Sequence, residues 1–220
     1  MMKKNLSKTT KIDLDDYKSL ENIAYRNLLW ILSNNELFRQ PEHFSLVQYG
    51  NQTVLKNHVK GALEQLKHLD PKMSYLNIGM GAGILEAVAE SQLKWDIDSA
   101  EWVEQQKMFS RFHQELGIDN YCKYLMEDVH SDKFELKVEE SYDYSLFIRF
   151  FPINKKWCKD IRDVVRKFQK VSKGFIIIDN VSNFTDWELL EEKADYCKQL
   201  GSSKFSLLRF DSIDNFLTQD

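Results

Sequence analysis

The stretch YLNIGMGAGILEAVAES, Tyr75 to Ser91, places Gly79, Gly81 and Gly83 within five residues of a chain that has only eight glycines in 220. Glycine weakens regular structure and is used where the backbone must turn tightly or approach a ligand. Before the glycines, Ser74 to Ile78 is short and apolar; after them, Ile84 to Ala89 has helical character. The segment reads strand, glycine turn, helix. Such a connection seldom needs more than one glycine, so the cluster points to a ligand against the turn.

Downstream, strand and helix signals alternate. Trp95 to Trp102 reads as a second strand, followed by a helix with Phe109, Phe112 and Leu116 on one face and Gly117 at its end. Tyr121 to Met126 is a third strand and Tyr142 to Phe151 a fourth. A helix carrying Ile161, Val164, Val165, Phe168 and Val171 leads through Gly174 to the apolar run Phe175 to Ile178. A helix from Thr185 to Leu200, with Leu190, Ala194 and Cys197, precedes a last strand, Lys204 to Phe210; Ile213 to Leu217 is left for a final antiparallel strand. This alternation predicts an α/β fold, a doubly wound and mostly parallel sheet with helices on both faces.

Upstream, residues 1–12 read as a mobile tail with Lys3, Lys4, Lys8 and Lys11. A first amphipathic helix carries Tyr17, Leu20, Ile23, Leu28 and Ile31 behind the acidic start Asp13, Asp15, Asp16. A second follows Thr53, with Val59, Leu63 and Leu66 on one face, and stops at Asp70-Pro71. Residues 13–72 are thus expected to form an N-terminal helical cap and 73–220 the α/β domain.

Composition narrows the function. Hydrophobic residues at 43% and aromatics at 13% predict a packed globule. No apolar run approaches the roughly 18–20 residues that cross a bilayer, and the N-terminus lacks the apolar core of a secretory signal, so the expected location is cytoplasmic with no membrane partner. A net charge of −4 argues against a nucleic-acid partner. Cys122, Cys158 and Cys197, odd in number and far apart, read as reduced, buried thiols. The oligomeric state is left open.

The spacing excludes two nucleotide motifs. A GxGxxG dinucleotide turn would need a small residue where Ile84 stands, and a GxxxxGK[ST] phosphate loop would need Gly and Lys at 84 and 85. GxGxG after an apolar strand resembles motif I of the class I S-adenosylmethionine-dependent methyltransferases, which have a Rossmann-like fold. The resemblance implies S-adenosylmethionine as cofactor, held by Asn77, Gly79, Met80, Gly81 and Gly83. It places Glu101, at the end of the second strand and followed by Trp102, on the ribose hydroxyls, with Asp98 as a second candidate. Asp128 and the Val129 amide then stand on the adenine side. The chain departs from the family at Asn77, where an acid is usual.

Two closer resemblances are incomplete. FIIIDN, Phe175 to Asn180, is similar to the metal-binding strand end of the catechol and caffeoyl-CoA O-methyltransferases, but Ile148-Arg149 stands where a further aspartate is needed, so no metal is expected. GNQTVLKNHVKGALEQL is similar to the segment before strand one in the protein L-isoaspartate O-methyltransferases, yet Leu55 replaces a serine of their TxS element. His130 and Arg149 are the catalytic candidates, near enough in this topology to reach a substrate; Arg149 has the planar fork that grips a carboxylate. The expected activity is methylation, at oxygen or nitrogen, of a small-molecule acceptor. An aminopropyl or aminocarboxypropyl transfer from the same cofactor, and a non-catalytic methyltransferase-like subunit, remain as alternatives.

Overall fold

The apolar run between Pro71 and the glycines becomes strand β1 (Tyr75–Ile78), buried at all four residues. The computed structural model describes residues 60–81, 83–95, 97–116, 122–129, 131, 132, 134–150, 157–181, 184, 186–200 and 205–219. The helix expected after Asp13 and most of the cap lie outside them. Residues 60–66 are helical, and Ala62, Leu66 and Leu69 pack into the same core cluster as Tyr75.

After β1 come α1 (Ile84–Val88), continued by a wider π-type turn over Ala89–Leu93, then β2 (Asp98–Trp102), α2 (Val103–Leu116) and β3 (Cys122–Met126). The second half holds β4 (Tyr142–Ile148), α3 (Trp157–Lys167), β5 (Ser172–Asn180), α4 (Trp187–Lys193), β6 (Tyr196–Leu200), β7 (Phe205–Phe210) and α5 (Ile213–Thr218). These strands form one sheet in the order β3-β2-β1-β4-β5-β7-β6. β1 to β5 are parallel, and β7 runs antiparallel to both β5 and β6. The chain winds outward from β1 to β3, then returns to β1 and winds the other way through β4 and β5. That reversal opens a crevice between the carboxyl ends of β1 and β4, where ligands of doubly wound sheets bind.

Strand alternation divides the core between two faces. Tyr75, Leu146, Ile176 and Ile178 face α1 and the helical residues 60–66. Leu76, Ile78, Phe147, Phe175 and Ile177 face the other way, against Ile161, Val164, Val165 and Phe168 of α3 and its end, and Ile213 and Phe216 of α5. Between β3 and β4 the described residues form neither helix nor strand. There Phe134, Leu136 and Val138 lie on the second cluster while Glu135, Lys137 and Glu139 face solvent. Lys167 Nζ, donating to the carbonyls of Val129 (2.5 Å) and Ser131 (3.0 Å), pins the start of this connection.

Several expected elements are corrected. The helix expected from Thr185 to Leu200 is two elements, α4 and the edge strand β6, broken at Ala194 in extended conformation. The antiparallel strand is β7, and Ile213–Thr218 is a helix capped by Ser212 Oγ, which accepts the Asn215 N–H at 3.2 Å. β2 starts at Asp98 rather than Trp95, because the π-type turn extends the preceding helix to Leu93. β4 stops at Ile148 rather than Phe151, because Arg149 turns to a positive φ of 50°. Of the cysteines, Cys197 is exposed and Cys122 half-buried, so neither is the buried thiol expected; both are free. No helix among the described residues is long and apolar enough to cross a membrane.

Candidate functional site

Gly79, Gly81 and Gly83 all adopt positive φ, at 81°, 56° and 70°, a conformation that side-chain-bearing residues enter only with strain. The turn leaves β1 with the Gly79 N–H still donating to Ala100 O of β2 at 2.8 Å. It then closes on itself through Gly83 N–H to Met80 O at 2.9 Å. A Cβ on Gly79 would lie 3.1 Å from the Phe150 ring, which follows β4 across the crevice. Beside Gly81, by contrast, nothing lies within 4 Å of the place a Cβ would take. Met80, between them, turns its side chain into the core.

Two side chains grip Gly81. Glu101, at the end of β2 and only 2% exposed, accepts the Gly81 N–H on one carboxylate oxygen at 2.5 Å and the Trp102 N–H on the other at 2.7 Å. Burial pushes its carboxyl up to about 7, partly offset by those two N–H donors, with the Glu86 carboxyl adding to the rise. His113, fully buried on α2, reaches the other side of the same residue. Its Nε2–H donates to Gly81 O at 2.6 Å, since a carbonyl can only accept. The ring stacks on Phe109 one turn earlier, 5.9 Å between centroids. His113 was not among the sequence candidates; the signal was a histidine four residues beyond Phe109 on the apolar face.

Beneath the turn, Asn77, Glu86 and Ser99 form a second group, all buried. Glu86 Oε1 accepts from Asn77 Nδ2 at 2.9 Å and from Ser99 Oγ. Burial raises the Glu86 carboxyl above its ordinary range against the pull of the Ser99 and Asn77 hydrogen bonds. Asn77 Oδ1 and Glu86 Oε2 are buried and accept no hydrogen bond. Glu86 and Ser99 were also missed.

Of the remaining candidates, Trp102, Asp128 and Arg149 stand at the same edge of the sheet, at or just beyond the carboxyl ends of β2, β3 and β4. Trp102 pairs with Met126, so Asp128, half-buried two residues beyond β3, lies on the side of Glu101. Val129 is buried in the second core cluster. Asp98, the second ribose candidate, opens β2 at the opposite edge, bound by Lys123 Nζ at 2.6 Å and the Tyr142 hydroxyl at 2.7 Å. Arg149, after β4, is exposed; its guanidinium lies 5.5 Å over the Phe205 ring, a cation–π contact with β7. His130 lies outside the described residues. Asp179 is buried at the end of β5, and one of its oxygens accepts the Asn180 N–H at 2.7 Å. Among the described residues no group of three or more His, Cys, Asp or Glu side chains is placed to hold a metal.

No protein-family model matches the chain, and no curated protein matches it in sequence. Solved structures do match. The mitomycin 7-O-methyltransferase MmcR superposes with a TM-score of 0.55 at 12% identity, over 89% of this chain and 68% of that one. NcsB1, an O-methyltransferase of neocarzinostatin biosynthesis solved with S-adenosyl-L-homocysteine and 1,4-dihydroxy-2-naphthoic acid, gives 0.55 at 9%, over 87% and 69%. RosA of Streptomyces davawensis, the N,N-8-amino-8-demethyl-D-riboflavin dimethyltransferase, gives 0.52 at 10%, over 86% and 68%. At these identities the likeness is one of architecture: the chain has the class I methyltransferase fold.

Proposed function

We propose that this chain is an S-adenosylmethionine-dependent methyltransferase that acts on a small-molecule acceptor at oxygen or nitrogen. The observation that carries the reading is Gly81, whose N–H and C=O are held by Glu101 and His113 while the space beside its Cα is open. A turn made rigid from beneath and bare above is what close approach of a nucleoside requires. The three superposed structures named above are methyltransferases whose names give small-molecule substrates or pathways.

The residues fit that cofactor. A carboxylate has about four lone-pair directions; the two backbone amides on Glu101 occupy two of them, leaving two for the ribose hydroxyls. Asp128 accepts from the exocyclic amine of adenine, the Val129 amide donates to the ring, and Trp102 lines the same side. Asn77 offers an unpartnered buried oxygen to the ammonium of the methionine portion. The cofactor, when bound, supplies a methyl group on a sulfonium, open to in-line displacement. This chain's part is alignment and proton removal. Arg149 follows β4 beside the crevice; its guanidinium, which lies over Phe205 of β7, swings back to orient an anionic group of the acceptor, and His130 takes the acceptor's proton.

Calorimetric titration with S-adenosylmethionine and S-adenosylhomocysteine tests the reading. Saturable heat with both is expected; no heat at millimolar ligand contradicts it and favours a non-catalytic subunit. Mass analysis of the product formed from a phenolic or carboxylate-bearing acceptor should show one added methyl group. Recovery of an aminopropyl or aminocarboxypropyl adduct instead overturns methyl transfer.

A further inference from the structure

We infer that Glu86 is a positioning residue: it fixes the amide of Asn77 so that Oδ1, not Nδ2, is presented to the ammonium of the cofactor. The inference rests on the cofactor proposed above. Asn77 is the penultimate residue of β1, two before Gly79, on the strand that ends in the glycine turn. Its Nδ2 donates to Glu86 Oε1 at 2.9 Å, and Ser99 Oγ donates to the same oxygen. Rotating the amide by half a turn would set Oδ1 against a carboxyl oxygen that already serves as an acceptor, so the partner of Nδ2 decides where Oδ1 goes.

The group also has too few donors for its acceptors. Asn77 and Glu86 are 3% and 1% exposed, yet Asn77 Oδ1 and Glu86 Oε2 receive no hydrogen bond. Buried oxygens without donors are costly and rare in native proteins. A primary ammonium carries three N–H donors and a positive charge, which is what this arrangement lacks. The same geometry explains why the strand has asparagine where the resemblance expects an acid. An aspartate at 77 would set two buried carboxyl groups against each other, and burial together with their mutual repulsion would oppose ionising both. Here the carboxyl stands on α1, and its hydrogen bond to the amide carries its influence to the strand.

The test compares two ligands that differ in the amino-acid portion: S-adenosylhomocysteine, which has the ammonium, and 5′-methylthioadenosine, which lacks it. Titrations of the full chain should show Glu86→Leu binding S-adenosylhomocysteine about tenfold more weakly or worse, with 5′-methylthioadenosine changed by less than about twofold. Glu86→Gln, whose amide oxygen can still accept from Nδ2, should stay within about threefold of the unmodified protein for both ligands. Should Glu86→Leu fail to fold, Asn77→Ala removes Oδ1 directly and should give the same selective loss. Equal losses for both ligands, an unchanged ratio in either variant, or a Glu86→Gln as defective as Glu86→Leu would overturn the inference while leaving the cofactor assignment intact. An unmodified chain that binds neither nucleoside overturns both.

Discussion

Glu101 is where the site's chemistry and its stability meet. Its folded-state value of about 7 lies above the ordinary 4.5, so the folded chain keeps a proton where the unfolded chain has lost it. Between those two values unfolding releases a proton, and the stability of the unliganded protein falls as pH rises through the window, by roughly 3 kcal/mol for this group. Glu86, shifted in the same direction, adds to the fall. In the proposed function the ionised Glu101 accepts the ribose hydroxyls, so cofactor binding should run the opposite way: titrations at pH 6 should be about tenfold weaker than at pH 8. A pH-independent affinity would remove Glu101 from the ribose. Glu101 was legible in the sequence because its distance from the glycines and its place at a strand end mark it. His113 was not, since it reaches Gly81 across 32 residues and no local spacing records that contact.

At the scale of elements, the central parallel strands β1, β4 and β5 were the most readable because they are largely buried on both faces and rich in apolar residues. The edge strand β6 was not: four of its five residues are exposed, so it has no inward-facing alternation, and Leu190, Ala194 and Cys197 mimic a helical spacing across the break. α5 was misread because it is only six residues long, although Ser212 and Asn215 form a cap three residues apart. Ser212→Ala should cost about 1 kcal/mol in denaturant unfolding. β5 supplies a sharper test at Gly174, whose φ is unremarkable but whose missing side chain makes room for β7. A Cβ there would collide with the Phe210 carbonyl and lie 2.8 Å from the Tyr144 ring. Gly174→Ala should therefore destabilise by about 1–3 kcal/mol through the Phe175–Phe210 stack, whose centroids are 4.3 Å apart. An unchanged midpoint would mean that the two strands part without loss.

At the scale of the molecule, the order of winding sets the function. β1 lies where the sheet changes direction, so the one turn rich in glycine is also the one facing the crevice, with Glu101 and Asp128 on one flank and Arg149 and Phe150 on the other. The alternation of strands and helices gave this architecture away, and the spacing of three glycines named the turn. What lies beneath the turn depends on tertiary packing, which brings together residues far apart in the sequence. The central claim is that this turn is bare so that a nucleoside can lie against it. Thermal unfolding of the unmodified chain and of Gly81→Val, each with and without S-adenosylhomocysteine at about a hundred times its dissociation constant, tests it most directly. The unmodified chain should gain about 2.7 kcal/mol, a rise of roughly 5–10 °C for a domain of this size, and folded Gly81→Val should gain nothing. An equal rise in both proteins, or none in the unmodified chain, would contradict it.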